Sequence, residues 1–369
     1  MRNLVLALGF VALMQSSGWA QDSSRLFGVW TGTIGKLPVM VCLDTRRDYH
    51  FGAYYYLAHL KAIHLEENDD GKSWTEGSSS DTNAPRWQLD PVDGNKIKGT
   101  WATQEKSFPI NLTRLAENPK DADGQESACG SQAFFQPRVT PPKITETAAV
   151  LDGQSYVKVT VNAGEQFNVS LETFKLKGSG AKIARINKTL LQGVPQPGQK
   201  PDYLECIQSG LANGGNDGDY DTSAVPIILT PHWLVAASGD GSFCGGAHPV
   251  NSSAKIVYDL RTGIEVDLKK WLRPGVADEN GKLSGKLAML VEEKYKADAK
   301  DNPDCIDSIQ NAFGWGLSLE KTGISFTPSL SHAETACANA SLLGFSSVLP
   351  FLNDNGKKLL ADFRSELTN

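Results

Sequence analysis

The chain has 369 residues, 40% of them hydrophobic and 21% charged, with a formal net charge of -6. That length suits two ordinary domains of roughly 150 residues each. A mildly acidic balance with no basic stripe excludes nucleic acid and anionic membrane surfaces as natural partners.

Residues 1–20 read as a secretory signal peptide. Arg2 supplies the positive start, residues 4–14 form a short apolar run, and Ala20 ends a stretch suited to cleavage. The run is too short for a bilayer, and no later stretch approaches the roughly 20 apolar residues of a spanning helix, so no transmembrane segment is expected. Loss of Arg2 with the leader makes the mature chain one unit more negative. The expected location is periplasmic or secreted.

Residues 29–34, 39–43, 52–57, 63–65, 74–76, 86–89, 96–101 and 108–112 are short alternating segments separated by turn residues. Such punctuation predicts an antiparallel β-meander, as a small barrel or a curved sheet. Trp30, Tyr54, Tyr55, Tyr56, Trp74, Trp87 and Trp101 belong to these segments. They either fill the interior, as large side chains do in small barrels, or present a sugar-stacking face. Tyr55 points away from Tyr54 and Tyr56. The polar stretch 117–126 and the proline-rich stretch 136–143 read as a connector, which gives a β-rich N-terminal domain with connector over residues 21–141 and a second domain over 142–369.

In the second part, strands are predicted at 155–161 and 166–174, and a helix at 181–191 from the spacing of Ile183, Ile186 and Leu190. A loop rich in Gly and Asp spans 212–221, followed by strands at 225–229, 232–237 and 255–259. Thr262 and Gly263 turn the chain into 265–268, a short helix starts at Lys269, and a second helix covers 285–297. Strands at 316–319, 323–326 and 348–352 and a terminal helix at 357–367 complete an α+β domain with a mainly antiparallel sheet.

Six cysteines and no Cys-x-x-Cys pair, in an exported chain, point to disulfides rather than metal or redox chemistry. Chain order and the domain boundary favour Cys42 with Cys129, Cys206 with Cys244, and Cys305 with Cys337. His50, His59 and His64 cluster in sequence but match no zinc spacing. Residues 216–221 alternate oxygen-bearing side chains with glycine like part of a calcium loop, yet the glutamate at the twelfth position is missing. No metal and no cofactor is expected.

The most informative stretch is Ser242, Phe243, Cys244, Gly245, Gly246, Ala247, His248 and Pro249, a turn that feeds a hairpin carrying Tyr258 and Asp259. Its glycines free the backbone for a tight corner or a recognition surface. His248 can serve a binding surface, act as a general base, or fix the turn by bonding a loop carbonyl. No catalytic companion is identifiable for it.

This turn, with residues 258–263 and 266–272 after it, resembles the extracytoplasmic domain of the RsiV type, found in lysozyme-sensing anti-sigma factors and beside a peptidoglycan deacetylase domain. Residues 183–190 look like that family's preceding helix, and 323–326 with 348–351 like its closing strand pair. The resemblance covers residues 142–369 and implies an envelope-facing binding domain without catalytic residues to carry over. The expected function is a periplasmic binding protein, an inhibitor of or immunity protein against a lysozyme-like hydrolase, with Gly245, Gly246, His248, Tyr258 and Asp259 as the binding residues. Its partner is then that hydrolase or peptidoglycan. The competing expectations are an envelope glycan hydrolase and an accessory glycan- or lipid-binding protein.

Overall fold

The computed structural model describes residues 25–46 and 49–367; the expected signal peptide lies outside them. Two units emerge, one reaching Cys129 and the other running from Gly130, with His59–Ala62 grouped with the second.

In the first unit, β1 (Gly28–Ile34), β2 (Leu37–Asp44), β3 (Phe51–Tyr56), β4 (Ile63–Glu67), β5 (Ser73–Glu76), β6 (Arg86–Leu89), β7 (Lys96–Ala102) and β8 (Ser107–Ala116) form a closed antiparallel barrel. The meander expected from sequence is therefore a barrel, closed by β1 pairing with both β2 and β8. Closure depends on Gly32, where a Cβ would stand 1.9 Å from the carbonyl oxygen of Asn111 on β8. Period-two alternation sends Trp30, Val41, Tyr54, Leu65, Trp74, Trp87 and Ile110 into one interior core. Tyr55 is buried as well, on the opposite face of β3. Cys42 in β2 is bridged to Cys129, and the carboxylate of buried Asp44 accepts the Ala128 N–H at 3.1 Å.

The second unit begins inside the stretch expected to be a connector. Residues of α1 (Gln132–Phe135) and the 3-10 turn Gln136–Arg138 bury Phe134, Phe135 and Arg138. The Arg138 guanidinium makes a two-pronged bond to Asp217 at 2.6 and 2.7 Å, and the Gln166 side chain returns a bond to the Arg138 carbonyl at 2.9 Å. A sequence rich in Pro and polar residues thus forms folded structure, because one buried ion pair and two phenylalanines anchor it.

The central sheet is built from β9 (Lys143–Leu151), β10 (Gln154–Asn162), β11 (Val169–Leu176), β12 (Asp219–Leu229), β13 (Trp233–Phe243), β14 (Val250–Asp259) and the short β15 (Ile264–Glu265), side by side in that order. All neighbours are antiparallel except β11 and β12. Between β11 and β12 the chain forms α2 (Ala181–Leu190) and α3 (Asp202–Gly214). One face of the sheet packs Leu229, Leu234 and Tyr258 against Ile186 of α2. The other packs Ile228, Trp233, Val235 and Val257 into a larger core with α4 (Gly285–Asp298) and α7 (Asp354–Leu367). That core also takes in a three-stranded sheet of β16 (Gly314–Leu319), β17 (Gly323–Ser329) and β18 (Ser341–Gly344).

The expected final strand at 348–352 is instead helical, as α6 (Phe345–Val348) and a 3-10 turn Leu349–Phe351. Pro350 sits at the start of that turn, where its missing N–H costs nothing, and β17 takes its second partner from β18. The remaining α5 (Pro303–Ser308) carries Cys305.

Candidate functional site

The β13 and β14 strands form a long hairpin whose outermost pair is Ser242 opposite Val250. At its tip, Cys244 is bridged to Cys206 in α3. Gly245 has φ +85°, and a Cβ there would lie 2.9 Å from the Asn213 Cβ and 3.0 Å from the Gly210 Cα, so only glycine lets the turn lie flat on α3. The next residues, from Gly246 to Pro249, are exposed.

The His248 ring stacks on His332 with centroids 4.5 Å apart and planes at 30°. His332 opens the 3-10 turn His332–Cys337, and Cys337 is bridged to Cys305 in α5. The Cys337 carbonyl also accepts a 2.6 Å bond from the buried Tyr295 hydroxyl of α4. Two exposed loops, each pinned by its own disulfide, therefore meet at a pair of imidazoles. The three pairings expected from chain order are all present.

Beside the histidines runs a groove of about 610 Å³ between β14 and the three-stranded sheet. Its walls include Asn251, Ser253 and Lys255 of β14 and Gly316, Leu317 and Ser318 of β16. Lys255 is ion-paired with Glu320. Ser318 is 4% exposed, and its hydroxyl has no hydrogen-bond partner among the described residues.

Of the five residues expected to bind, the structure brings Gly245, Gly246 and His248 together and places Tyr258 and Asp259 at the far end of β14. At the rise of an extended strand that is a separation of roughly 25 Å or more. Tyr258 is a core residue, and burial pushes its hydroxyl pKa up, helped by the charge of Glu265. Asp259 is engaged by the Arg261 side chain at 2.9 and 3.0 Å and by the Arg261 N–H at 2.9 Å. Burial alone would raise the Asp259 pKa, but these bonds outweigh it and hold the carboxyl below its usual range. Arg261 reaches on to Asp362 in α7 at 2.6 Å.

His50 pairs with Glu67, His59 lies in a turn and His64 lies on β4. In the calcium-like stretch, Asp217 is taken by Arg138 and Asp219 accepts from Asn168.

A polar cluster that sequence reading missed lies in the barrel. One carboxylate oxygen of Glu76, Oε1, accepts from Tyr54 Oη at 2.6 Å, Trp101 Nε1 at 2.6 Å and Trp87 Nε1 at 3.2 Å. Burial and the Glu76 charge push the Tyr54 pKa far above its ordinary value. The register explains the convergence, since Trp74, Trp87, Trp101 and Phe108 lie opposite one another across β5 to β8 and Glu76 follows Trp74 by two.

No protein-family model matches the chain, and no curated protein matches it significantly. Among solved structures, similar folds belong to proteins of the DUF3298 family. A member from Bacteroides fragilis shares 13% identity at a TM-score of 0.39, over 62% of this chain and 96% of that one. A second, from Pseudomonas aeruginosa, shares 15% identity at a TM-score of 0.35, over 58% of this chain and 95% of its own. Neither description names an activity, a partner or the RsiV type.

Proposed function

We propose that the protein is an exported, disulfide-bonded binding protein that captures a lysozyme-like cell-wall hydrolase and blocks it. The observation that carries this reading is the meeting of two disulfide-anchored loops at His248 and His332. Loops anchored in this way lose little freedom on binding, so more of the contact energy is left for affinity. Three disulfides suit a chain that folds in an oxidising compartment. Among the described residues no helix is long and apolar enough to cross a membrane. The acidic net charge favours encounter with the basic surface of enzymes that act on anionic wall polymers.

The test is capture of lysozyme-type enzymes by the mature chain, with wall digestion followed in parallel. Stoichiometric capture with loss of digestion is expected, and weakened by His248→Ala. Wall fragments released by this protein alone, without capture, would replace the reading with that of a glycan hydrolase.

A further inference from the structure

The central sheet ends on one side at β9, nine residues long and paired to β10 alone among the described strands. Edges of this length are ordinarily kept apart by a bulge, a proline or an unpaired charge in mid-strand. Here the register with β10 is unbroken from Lys143 to Leu151, the strand contains no proline, and its one mid-strand charge, Glu146, is ion-paired with Lys175. Every residue from Lys143 to Ala148 is exposed. The fold does approach the turn end, where Asp152 accepts from the Leu229 N–H and pairs with Lys321, yet Val150 stays 67% exposed.

The turn sets which backbone groups point outward. Asp152 and Gly153, with φ of +47° and +77°, form a two-residue hairpin connection, whose flanking pair, Leu151 and Gln154, exchanges both hydrogen bonds. Counting back by twos, Ala149, Thr147 and Thr145 also bond β10. Val150, Ala148, Glu146 and Ile144 therefore turn N–H and C=O to the open side.

This strip matches itself. About a two-fold axis through Thr147, an antiparallel copy sets Ile144 opposite Val150 and Glu146 opposite Ala148, all of them outward-bonding residues, so each pair closes two main-chain bonds. No like charges stand opposite each other, and the exposed hydrophobic residues Ile144, at 41%, and Val150, at 67%, cover one another. Ile144 also lines an apolar hollow of about 490 Å³ with Val139, Pro141, Pro142, Pro195 and Pro197, which gives the Val150 of a second copy its seat.

We infer that β9 is a homodimer interface, at which a second copy of this chain adds its own β9 and joins the two central sheets into one. The inference stands independently of the capture reading. A strip of this size is small beside the ~1,600 Å² of a standard interface, so the dimer forms and separates with concentration.

Sedimentation of the mature chain over a dilution series, from nanomolar to high micromolar, reads the association, and two cysteine variants read its register. At the two-fold the Thr147 positions form a non-hydrogen-bonded pair with Cα atoms ~4.5 Å apart, within disulfide reach, whereas the two Thr145 positions lie roughly 13 Å apart. All six cysteines of the chain are already bridged, so an added one has no partner within its own copy. Expected are a dimer that dissociates on dilution and oxidation of Thr147→Cys, but not Thr145→Cys, to a covalent dimer. Val150→Lys, altering an exposed side chain, should weaken the dimer about tenfold or more, because it places an unpaired charge in an apolar seat. A monomer throughout, or a dimer that Val150→Lys leaves intact and both cysteine variants cross-link equally, overturns the inference. So does amide exchange over 143–151 that slows only when a basic lysozyme-type hydrolase is added, which would give the edge to a foreign strand.

Discussion

Replacing Glu76 with alanine removes a carboxylate oxygen that accepts from three aromatic donors in the barrel. Trp87 is fully buried and loses its partner where water cannot easily replace it, whereas Tyr54, 1% exposed, keeps the Tyr56 hydroxyl as a second hydrogen-bonding neighbour. At about 1–3 kcal/mol for an unsatisfied buried donor, the barrel should lose ~1–3 kcal/mol, most of it at Trp87. Half-buried Trp101 adds little because solvent reaches it. Glu76→Gln keeps an acceptor oxygen and should cost far less. Tyr54→Phe removes a donor rather than an acceptor, so the Glu76→Ala and Tyr54→Phe changes should be strongly non-additive. Urea unfolding gives the measurement, with exchange of β5 to β7 amides isolating the barrel from the second unit. A loss below about 1 kcal/mol for Glu76→Ala, or simple additivity with Tyr54→Phe, would show that Glu76 does not hold the cluster.

Two further outcomes concern the second unit. Replacing Cys206 and Cys244 together with serine opens a 38-residue loop and should cost about 4 kcal/mol on the chain-entropy estimate, read as a lower thermal midpoint. Binding at His248 should fall more than stability, because Gly245 then loses its seat on α3; equal binding by the folded double variant would refute the anchoring role. Asp259 and Glu366 govern the acid side. Burial opposes ionisation of both, yet bonds from Arg261 to Asp259, and from Thr230 and His232 to Glu366, leave both pKa values below normal. Their stabilisation is complete above the unfolded carboxylate pKa of about 4 and fades as pH falls through the folded values. Acid titration of Asp259→Asn should show a shallower decline than the unmodified chain, and parallel curves would refute the assignment.

The barrel strands were legible because one side of each faces a core, which imposes the period-two alternation seen from Val29 to Leu112. Closure was not, since it rests on Gly32 lying against Asn111 across most of the unit. The helix α3 escaped notice because its last residues, Ala212, Asn213 and Gly214, belong to the Gly- and Asp-rich stretch read as a loop, and Ser209 and Gly210 break up its apolar spacing; its helicity is supported by burial of Tyr203, Leu204, Ile207 and Leu211 and by the Cys206 bridge. The first strand, β9, hid behind the prolines at 141 and 142, and is nearly all exposed, so no apolar alternation marks it. At the site, the glycine turn and His248 were visible as a motif. Tyr258 and Asp259 were grouped with it by nearness in sequence, although an extended strand carries them to the other end of the sheet. His332 offered no signal at all, because its contact with His248 is made through the tertiary fold by residues distant in sequence.

The one parallel join among the described strands of the central sheet, β11 to β12, bears on how this unit assembles. On either side of it, β9 to β11 and β12 to β15 are runs of neighbours in sequence that can zip up locally. The join between them must wait for the long crossover containing α2 and α3 to close, and parallel pairings of this kind are slow because chain entropy is lost before contacts repay it. The two half-sheets would then form early, and their docking along β11 and β12 would set the folding time of the unit. Until that docking, both join edges stand open, which makes this seam the place where a newly made chain most needs protection from pairing with another copy.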